Sequence, residues 1–114
     1  MQEELKRGRL GENGGHGAPL PGEETFASLV VRRDFELEEI VSRGAASPEG
    51  FWYDQERCEW VLLAKGTATL RFEDEAEDDF EMSAGDYVLI PAGKRHRVEK
   101  TSEDAVWLAL HVRG

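Results

Sequence analysis

The stretch from residue 85 to residue 98 constrains the fold more than any other part of the sequence. Gly85 begins a turn, because glycine takes the positive φ that a tight corner needs. Residues 87–90 are a short apolar run of β-forming residues, which predicts a strand that is buried on both faces. Pro91 ends this strand, since proline has no amide proton for a β-ladder. Gly93 supplies a second corner, so the stretch predicts two short strands joined by a turn.

The strand after Gly93 carries the first candidate site residue. Side chains alternate between the two faces of a strand, so His96 shares a face with Val98. Arg95 and Arg97 take the other face, and we expect these arginines to reach water. His96 is therefore predicted to point into the interior, where an imidazole can bind a metal ion or transfer a proton.

Residues 59–65 predict another strand, on which Glu59 shares a face with Val61 and Leu63. A carboxylate on an apolar face is expected in the interior, where it must be paired, bonded to a metal or protonated. The alternative is that Glu59 lies at a frayed strand end and reaches water. Gly66 predicts a tight hairpin turn, after which residues 67–72 return as the partner of this strand.

Further strands are predicted at residues 25–32, 35–43, 80–82 and 105–112. The first is interpreted as an edge strand, which pairs within the domain or with a partner subunit. A bulge is predicted at Glu38-Glu39, where the alternation of apolar and polar residues breaks. The acidic run at residues 73–79 predicts a solvated hairpin loop.

The last predicted strand has two apolar faces, which is typical of a central strand or of one that a subunit covers. His111, near its end, is interpreted as a structural histidine rather than a ligand. Turn signals recur about every ten residues and no long helical pattern occurs, so the sequence predicts an all-β barrel or sandwich.

Composition limits both the organisation and the partners of the chain. At 114 residues we expect a single barrel domain at residues 23–114, preceded by a flexible N-terminal arm at residues 1–22 that is rich in glycine and proline. The net charge of −10 argues against nucleic acid as a partner. No apolar run approaches the ~20 residues of a membrane helix, and no secretion signal is found, so no membrane partner is expected. A single cysteine, Cys58, fits a cytoplasmic, reducing location.

The spacing of Gly85, Pro91, Gly93 and His96 resembles the second motif of the cupin superfamily, although Lys100 replaces the asparagine that follows in the family. Glu59 and Gly66 fit the end of the first cupin motif. The two histidines that usually precede this glutamate are missing, so the first motif is degenerate. The resemblance covers roughly residues 40–112 and implies a small cupin: a jelly-roll barrel, also called a double-stranded β-helix.

The resemblance also implies a site. In cupins the two motifs meet at one divalent metal ion, here zinc, iron, manganese or nickel. Carried over by position, Gln55 and Tyr53 replace the missing histidines if three residues precede the glutamate, and Asp54 and Trp52 replace them if four do. The predicted metal ligands are Gln55, Glu59 and His96, with Asp54 as the alternative to Gln55, and the predicted ligand pocket contains Trp52, Tyr53 and Asp54.

Three functions remain open at this point. The first is a metal-dependent enzyme acting on a small molecule, and the second is a module that binds or senses a small ligand with or without metal. The third is a metal-free structural or acid–base site in which Glu59 and His96 bond each other directly. The resemblance also implies a homodimer. Its interface would bury the apolar outer face of Trp60, Leu62 and Ala64.

Overall fold

The computed structural model describes residues 4–12, 15, 17–75 and 79–113, which form eight β-strands and a short 3-10 helix, Glu73–Glu75. No helix in this described part of the chain is long and apolar enough to cross a membrane. The strands are β1 (Glu24–Val31), β2 (Phe35–Ser42), β3 (Cys58–Lys65), β4 (Thr67–Phe72), β5 (Phe80–Ser83), β6 (Tyr87–Ile90), β7 (His96–Thr101) and β8 (Ala105–Val112).

The strands form two antiparallel sheets of a jelly-roll barrel. The larger sheet has the order β1-β2-β8-β3-β6, and the smaller has the order β5-β4-β7. β8 is central in the larger sheet, with β2 on one side and β3 on the other. The predictions of an all-β fold and of a central last strand are therefore confirmed.

The hydrophobic core contains side chains from both sheets. On β3, Val61 and Leu63 are buried, and on β8 the inward side chains include Trp107 and Ala109. The smaller sheet contributes large apolar side chains from β4 and β5, and β6 of the larger sheet contributes Ile90. The buried core comprises Val61, Leu63, Ala68, Leu70, Phe72, Met82, Ile90, Ala105, Trp107 and Ala109.

Gly66 is a corner between the two sheets, so the predicted hairpin pairing of residues 59–65 with residues 67–72 is wrong. β3 pairs with β6 and β8, whereas β4 pairs with β5 and β7. Both edges of β3 are occupied, so β4 has no free edge there to join. Gly66 has φ 84°, and a Cβ at this position would lie 2.9 Å from the Cα of Ala105. The corner therefore requires glycine.

The predicted bulge at Glu38-Glu39 is also wrong in its position. β2 pairs without interruption with β8, and the register shift lies in β1, between Ser28 and Val30. The alternation breaks at Glu39 because this carboxylate is buried on the outer face of β2, where it accepts a hydrogen bond from the backbone N–H of Gly11.

The strand at residues 87–90 exists, but the prediction that both of its faces are buried is wrong. Tyr87 and Leu89 are 62% and 58% exposed, while Ile90 is buried. β6 is an edge strand of the larger sheet, and the side chains of Tyr87 and Leu89 lie on its outer face, which the smaller sheet does not cover. An apolar run alone does not show how many layers cover a strand.

Part of the N-terminal segment contacts the barrel. The Gly22 N–H donates to the Arg43 carbonyl oxygen at 2.6 Å, and Pro19 is buried. These contacts join part of the N-terminal segment to the barrel, and the flexibility of the arm stays a prediction.

The acidic run does connect the paired strands β4 and β5, although its residues 76–78 lie outside the described residues.

Candidate functional site

A cavity of about 90 Å³ lies between the sheets, near the end of the core where β3 begins and β8 ends. Most of its wall is apolar, and its polar groups are carboxylates, imidazoles, an amide and a phenol. The lining side chains are Glu24, Phe26, Glu38, Ile40, Tyr53, Gln55, Glu59, Val61, Leu70, Ile90, His96, Val98, Trp107 and His111.

Glu59 lies between two histidines. Its Oε1 is 3.6 Å from the Nε2 of His96, and its Oε2 is 3.7 Å from the Nε2 of His111. All three side chains are buried. The structure thus brings Glu59 and His96 together in the interior, as the sequence predicts, and the alternative of a frayed Glu59 reaching water is wrong.

His96 is held by its neighbours in one orientation. It begins β7 and forms an isolated β-bridge with Tyr53, whose ring stacks on the imidazole with centroids 5.4 Å apart. Its Nδ1 lies 2.9 Å from the carbonyl oxygen of Lys94. Because a carbonyl only accepts hydrogen bonds, Nδ1 carries the proton, and in the neutral ring the Nε2 lone pair faces Glu59.

His111, which the sequence analysis interpreted as structural, also lines the cavity. Its Nε2 lies 3.2 Å from Oε1 of Glu38, and its Nδ1 is buried with no hydrogen-bond partner among the described residues. The hydrogen bond to Glu38 raises the pKa of His111 above its ordinary value, and the nearby charge of Glu59 adds to this, although burial acts in the opposite direction. The two-residue alternation that puts Trp107 in the core also puts His111 there, and this signal was available from the sequence.

Gln55 and Tyr53 both line the cavity. They reach it because the loop before β3 is tied to β7 and its turn: the Tyr53 N–H donates to the His96 carbonyl oxygen at 2.7 Å, and the Gly93 N–H donates to the Gln55 carbonyl oxygen at 2.8 Å. Burial, reinforced by the carboxylates of Glu24, Glu59 and Glu38, raises the pKa of Tyr53. Tyr53 is therefore a neutral phenol, which disfavours it as a metal ligand.

Trp52 and Asp54 lie outside the cavity lining. The Trp52 ring lies 6.0 Å from the guanidinium carbon of Arg95 and 5.9 Å from that of Arg97, and Asp54 is exposed. This alternation follows from the local extended backbone, in which Tyr53 and Gln55 face inward. The structure therefore favours Gln55 over Asp54 as the residue near Glu59, and a ligand-binding role for Trp52 and Asp54 stays a prediction.

Glu24 is a third cavity carboxylate, and sequence reasoning did not identify it. It begins β1, and its Oε2 accepts a hydrogen bond from the hydroxyl of Ser42 at 3.0 Å. Burial raises its pKa above the ordinary value of 4.5, and the hydrogen bond from Ser42 partly opposes this. In the sequence, Glu24 is a charged residue at the start of a predicted strand, and nothing in that pattern indicates that it lines a cavity.

The polar groups at the centre of the site form a row: Glu38, His111, Glu59 and His96. Acid and imidazole alternate along it, and the Nε2 atom of each imidazole faces a carboxylate. Within residues 4–12, 15, 17–75 and 79–113, no three or more His, Cys, Asp or Glu side chains are placed so that they could hold one metal ion. The donors are therefore close together, but they do not surround a common point.

The cavity adjoins a surface groove of about 810 Å³. Phe26, Glu38, Gln55 and His111 line both, so they form the boundary between the cavity and the groove. The groove is further lined by Glu36, Glu56, Arg57 and Arg113.

Comparison with known proteins gives a consistent result. The family model of the cupin domain matches residues 38–111. A crystal structure from Ralstonia eutropha JMP134, of a protein provisionally described as a mannose-6-phosphate isomerase, is 37% identical, with a TM-score of 0.85 over 96% of this chain and 100% of that one. No curated protein sequence matches the chain.

More distant structures share the fold alone. An RmlC-like cupin from Shewanella frigidimarina is 13% identical, with a TM-score of 0.68 over 85% of this chain and 82% of that one. A cupin superfamily protein from Desulfitobacterium hafniense is also 13% identical, with a TM-score of 0.68 over 84% and 83%. At these identities the similarity concerns the arrangement of the strands and not the site.

Proposed function

Because the chain belongs to the cupin family, we propose that it binds a small molecule in its cavity and holds a divalent metal ion there. The proposed ligands of the ion are Glu59 and His96, with Gln55 and His111 as the further donors. Zinc, iron, manganese and nickel all accept imidazole nitrogen together with carboxylate oxygen.

The orientation of His96 is the observation that carries the proposal. The Lys94 carbonyl fixes the proton on Nδ1, so in the neutral ring the lone pair of Nε2 faces the Glu59 carboxylate at 3.6 Å. Two electron-rich atoms in a buried site repel each other unless a proton or a cation lies between them. A backbone carbonyl bonded to the far nitrogen is also the usual way to orient a metal-binding histidine.

The distances agree with this assignment. The separations of 3.6 Å and 3.7 Å from Glu59 to the two imidazoles are too long for hydrogen bonds. Two donors that each lie about 2.1 Å from a shared ion are at most about 4.2 Å apart. For three side chains to bind one ion at the same time, His111 or Glu59 must change its side-chain conformation, because Glu38, His111, Glu59 and His96 lie in a row.

The protein groups around the ion would select and orient the small molecule. A bound ion would supply a Lewis acid that polarises an oxygen atom of the ligand. The neutral phenol of Tyr53 can donate a hydrogen bond to the ligand, and the amide of Gln55 can both donate and accept. The apolar wall, including Trp107, excludes water from the remaining surface of the ligand.

A second candidate function is a metal-free site for binding or for acid–base chemistry. The contact between Glu38 and His111 favours it, since the Nε2 of His111 lies 3.2 Å from Oε1 of Glu38 and the two groups can share a proton without an ion. The raised pKa of His111, caused first by its hydrogen bond to Glu38, is also consistent with a proton held between these two groups.

Replacement of single donors separates the two candidates. We expect His96→Ala to stay folded and to lose affinity for zinc or manganese by more than about 100-fold, which exceeds the loss usual for outer-shell residues. Glu59→Gln should behave in the same way. Isothermal titration with each metal measures the affinity, and circular dichroism measures the fold.

Glu56→Gln is the matched control, because Glu56 is an exposed residue of the same loop and does not line the cavity. It removes the same charge and should leave the metal affinity unchanged. Equal metal affinity in His96→Ala and the parent protein would contradict the metal assignment and leave the metal-free candidate.

We also propose a homodimer that buries the outer face of β3 and β6. Trp60 and Leu62 lie half-buried there, paired across the strands with the exposed residues Leu89 and Tyr87. Exposed apolar side chains gathered on an edge strand are typical of an interface. Light scattering should give the mass of two chains, and Leu89→Lys should lower it. A monomeric mass for the parent protein would contradict the proposal.

A further inference from the structure

Two arginines lie at the rim of the groove beside the cavity. Arg57 immediately precedes β3, and Arg113 immediately follows β8. Cys58 pairs with Val112 in the antiparallel register of these strands. Continuing this register by one residue puts Arg57 and Arg113 opposite each other.

The two arginines repel each other in this arrangement. Like charges directly opposite each other on neighbouring strands destabilise the pair. Among the described residues Arg57 has one ion-pair contact, a long one of 3.5 Å between its Nη1 and Oε1 of Glu36. In the described part of the chain, the Arg113 side chain makes no hydrogen bond or ion pair. The groove also contains the carboxylates of Glu36, Glu38 and Glu56, but within the described residues only Glu36 lies within ion-pair distance of either arginine.

Two of the groove carboxylates, Glu36 and Glu38, also bond residues other than the arginines. Glu36 accepts a hydrogen bond from the hydroxyl of Ser28 at 2.7 Å, and this bond is the main reason that its pKa is lowered. Glu38 bonds His111 at the boundary with the cavity. Neither carboxylate pairs closely with Arg113, so its donors face the groove.

We propose that Arg57 and Arg113 together bind the anionic group of the small molecule whose other end enters the cavity. The ligand class is thus a small polar molecule with a phosphate or carboxylate tail. A guanidinium group suits both anions, because its planar N–H donors match their oxygens in pairs. The cavity and the adjoining groove match a ligand with two parts. The cavity of about 90 Å³ accepts only a small group, and the groove of about 810 Å³ has room for the anionic tail.

This inference rests on the proposed small-molecule function, and the mannose-6-phosphate isomerase description of the Ralstonia eutropha protein supplies a phosphorylated probe. The experiment titrates inorganic phosphate, acetate, mannose and mannose 6-phosphate into the full chain at low ionic strength. Nuclear magnetic resonance of the arginine Nε–H groups reports which guanidinium each probe contacts. The comparison of phosphate with acetate identifies the preferred anion.

We expect saturable shifts at Arg57 and Arg113 with phosphate or acetate. Arg57→Gln and Arg113→Gln should each weaken binding by about tenfold, the size of a hydrogen bond to a charged group. If mannose 6-phosphate binds, its advantage over mannose should disappear in both variants. Arg33→Gln is the matched control, because Arg33 is exposed in the turn between β1 and β2 and does not line the groove.

The proposal is overturned if neither anion shifts the two signals, or if Arg33→Gln weakens binding as much as the groove variants. Its failure is distinguishable from failure of the metal assignment, because Glu59→Gln should lose metal while the anion still shifts Arg57 and Arg113. Loss of metal affinity in the two arginine variants would likewise contradict an independent anion subsite.

Discussion

The two ends of the barrel interior differ sharply, although the same strands build both. On β3 the inward side chains change from Glu59 to Val61 and then to Leu63, which is 0% exposed. On β8 they change from His111 through Ala109 to Trp107. Each strand therefore carries a polar residue at one end and close-packed apolar residues at the other.

The difference indicates that the two ends have different roles, one in stability and the other in binding. At the apolar end, side chains contributed by both sheets fill the interior and provide most of the stability. At the polar end, carboxylates and imidazoles face one another around a cavity, which contributes little to folding because burying charged groups is costly. Substitutions should consequently separate into those that affect stability and those that affect binding.

The largest expected effect is at the apolar end. Leu63→Ala should destabilise the protein by about 2–5 kcal/mol, because it removes a fully buried side chain and leaves a cavity. Urea unfolding followed by circular dichroism measures the loss. Leu29 on β1, which is 37% exposed, is the control, and Leu29→Ala should cost less than half as much. Equal costs would show that the interior is not where the stability lies.

The corner between the sheets should give the next largest effect. Gly66→Ala combines a left-handed backbone, at φ 84°, with contact between the new Cβ and the Ala105 backbone. Gly93→Ala has a similar φ of 78° but no atom within 4 Å of the added carbon. The left-handed backbone alone costs about 1–2 kcal/mol.

Gly66→Ala should therefore exceed Gly93→Ala by at least about 1 kcal/mol in the free energy of unfolding. Both variants are compared by urea unfolding under the same conditions. If they cost the same, the close packing of Gly66 between the sheets is not what fixes this corner.

A smaller effect is expected at the polar end, from Glu24. Its folded-state pKa is raised above 4.5, mainly by burial, so the folded chain holds this proton more tightly than the unfolded chain does. Stability is then lost as the pH rises from about 4.5 through the folded pKa, and the cost persists at neutral pH. Glu24→Gln removes this cost and can still accept the hydrogen bond from Ser42.

We expect Glu24→Gln to raise the melting temperature by a few degrees at pH 7 and to have no such effect at pH 4. The matched control is Glu23→Gln, at the exposed neighbouring position. A gain of the same size at both pH values would contradict the burial of this carboxyl group.

The sequence predicted the parts of the fold that local chemistry controls. Glycine and proline mark the turns around residues 85–93, and two-residue alternation puts His96 and Glu59 inside. It could not predict that β3 and β4 separate into different sheets at Gly66, because a turn signal does not identify the strands that pair. Pairing depends on which edges are still free once the whole chain has folded.

Prediction of the site from the sequence was limited in the same way. Glu59 and His96 follow from motif spacing, whereas Glu24 and Glu38 enter the cavity only because β1 and β2 extend the larger sheet over it. His111 obeyed the alternation but was interpreted as structural, since a strand histidine alone does not reveal its partners. The partners come from β2 and β3, which are distant in sequence.

The central claim is that Glu59 and His96 share a divalent ion, and the metal content of the untagged protein tests it most directly. Mass spectrometry of the purified chain, before and after incubation with zinc, manganese or iron, should find at least about half an equivalent of one metal. Less than about a tenth of an equivalent, with no gain after incubation, would contradict the claim.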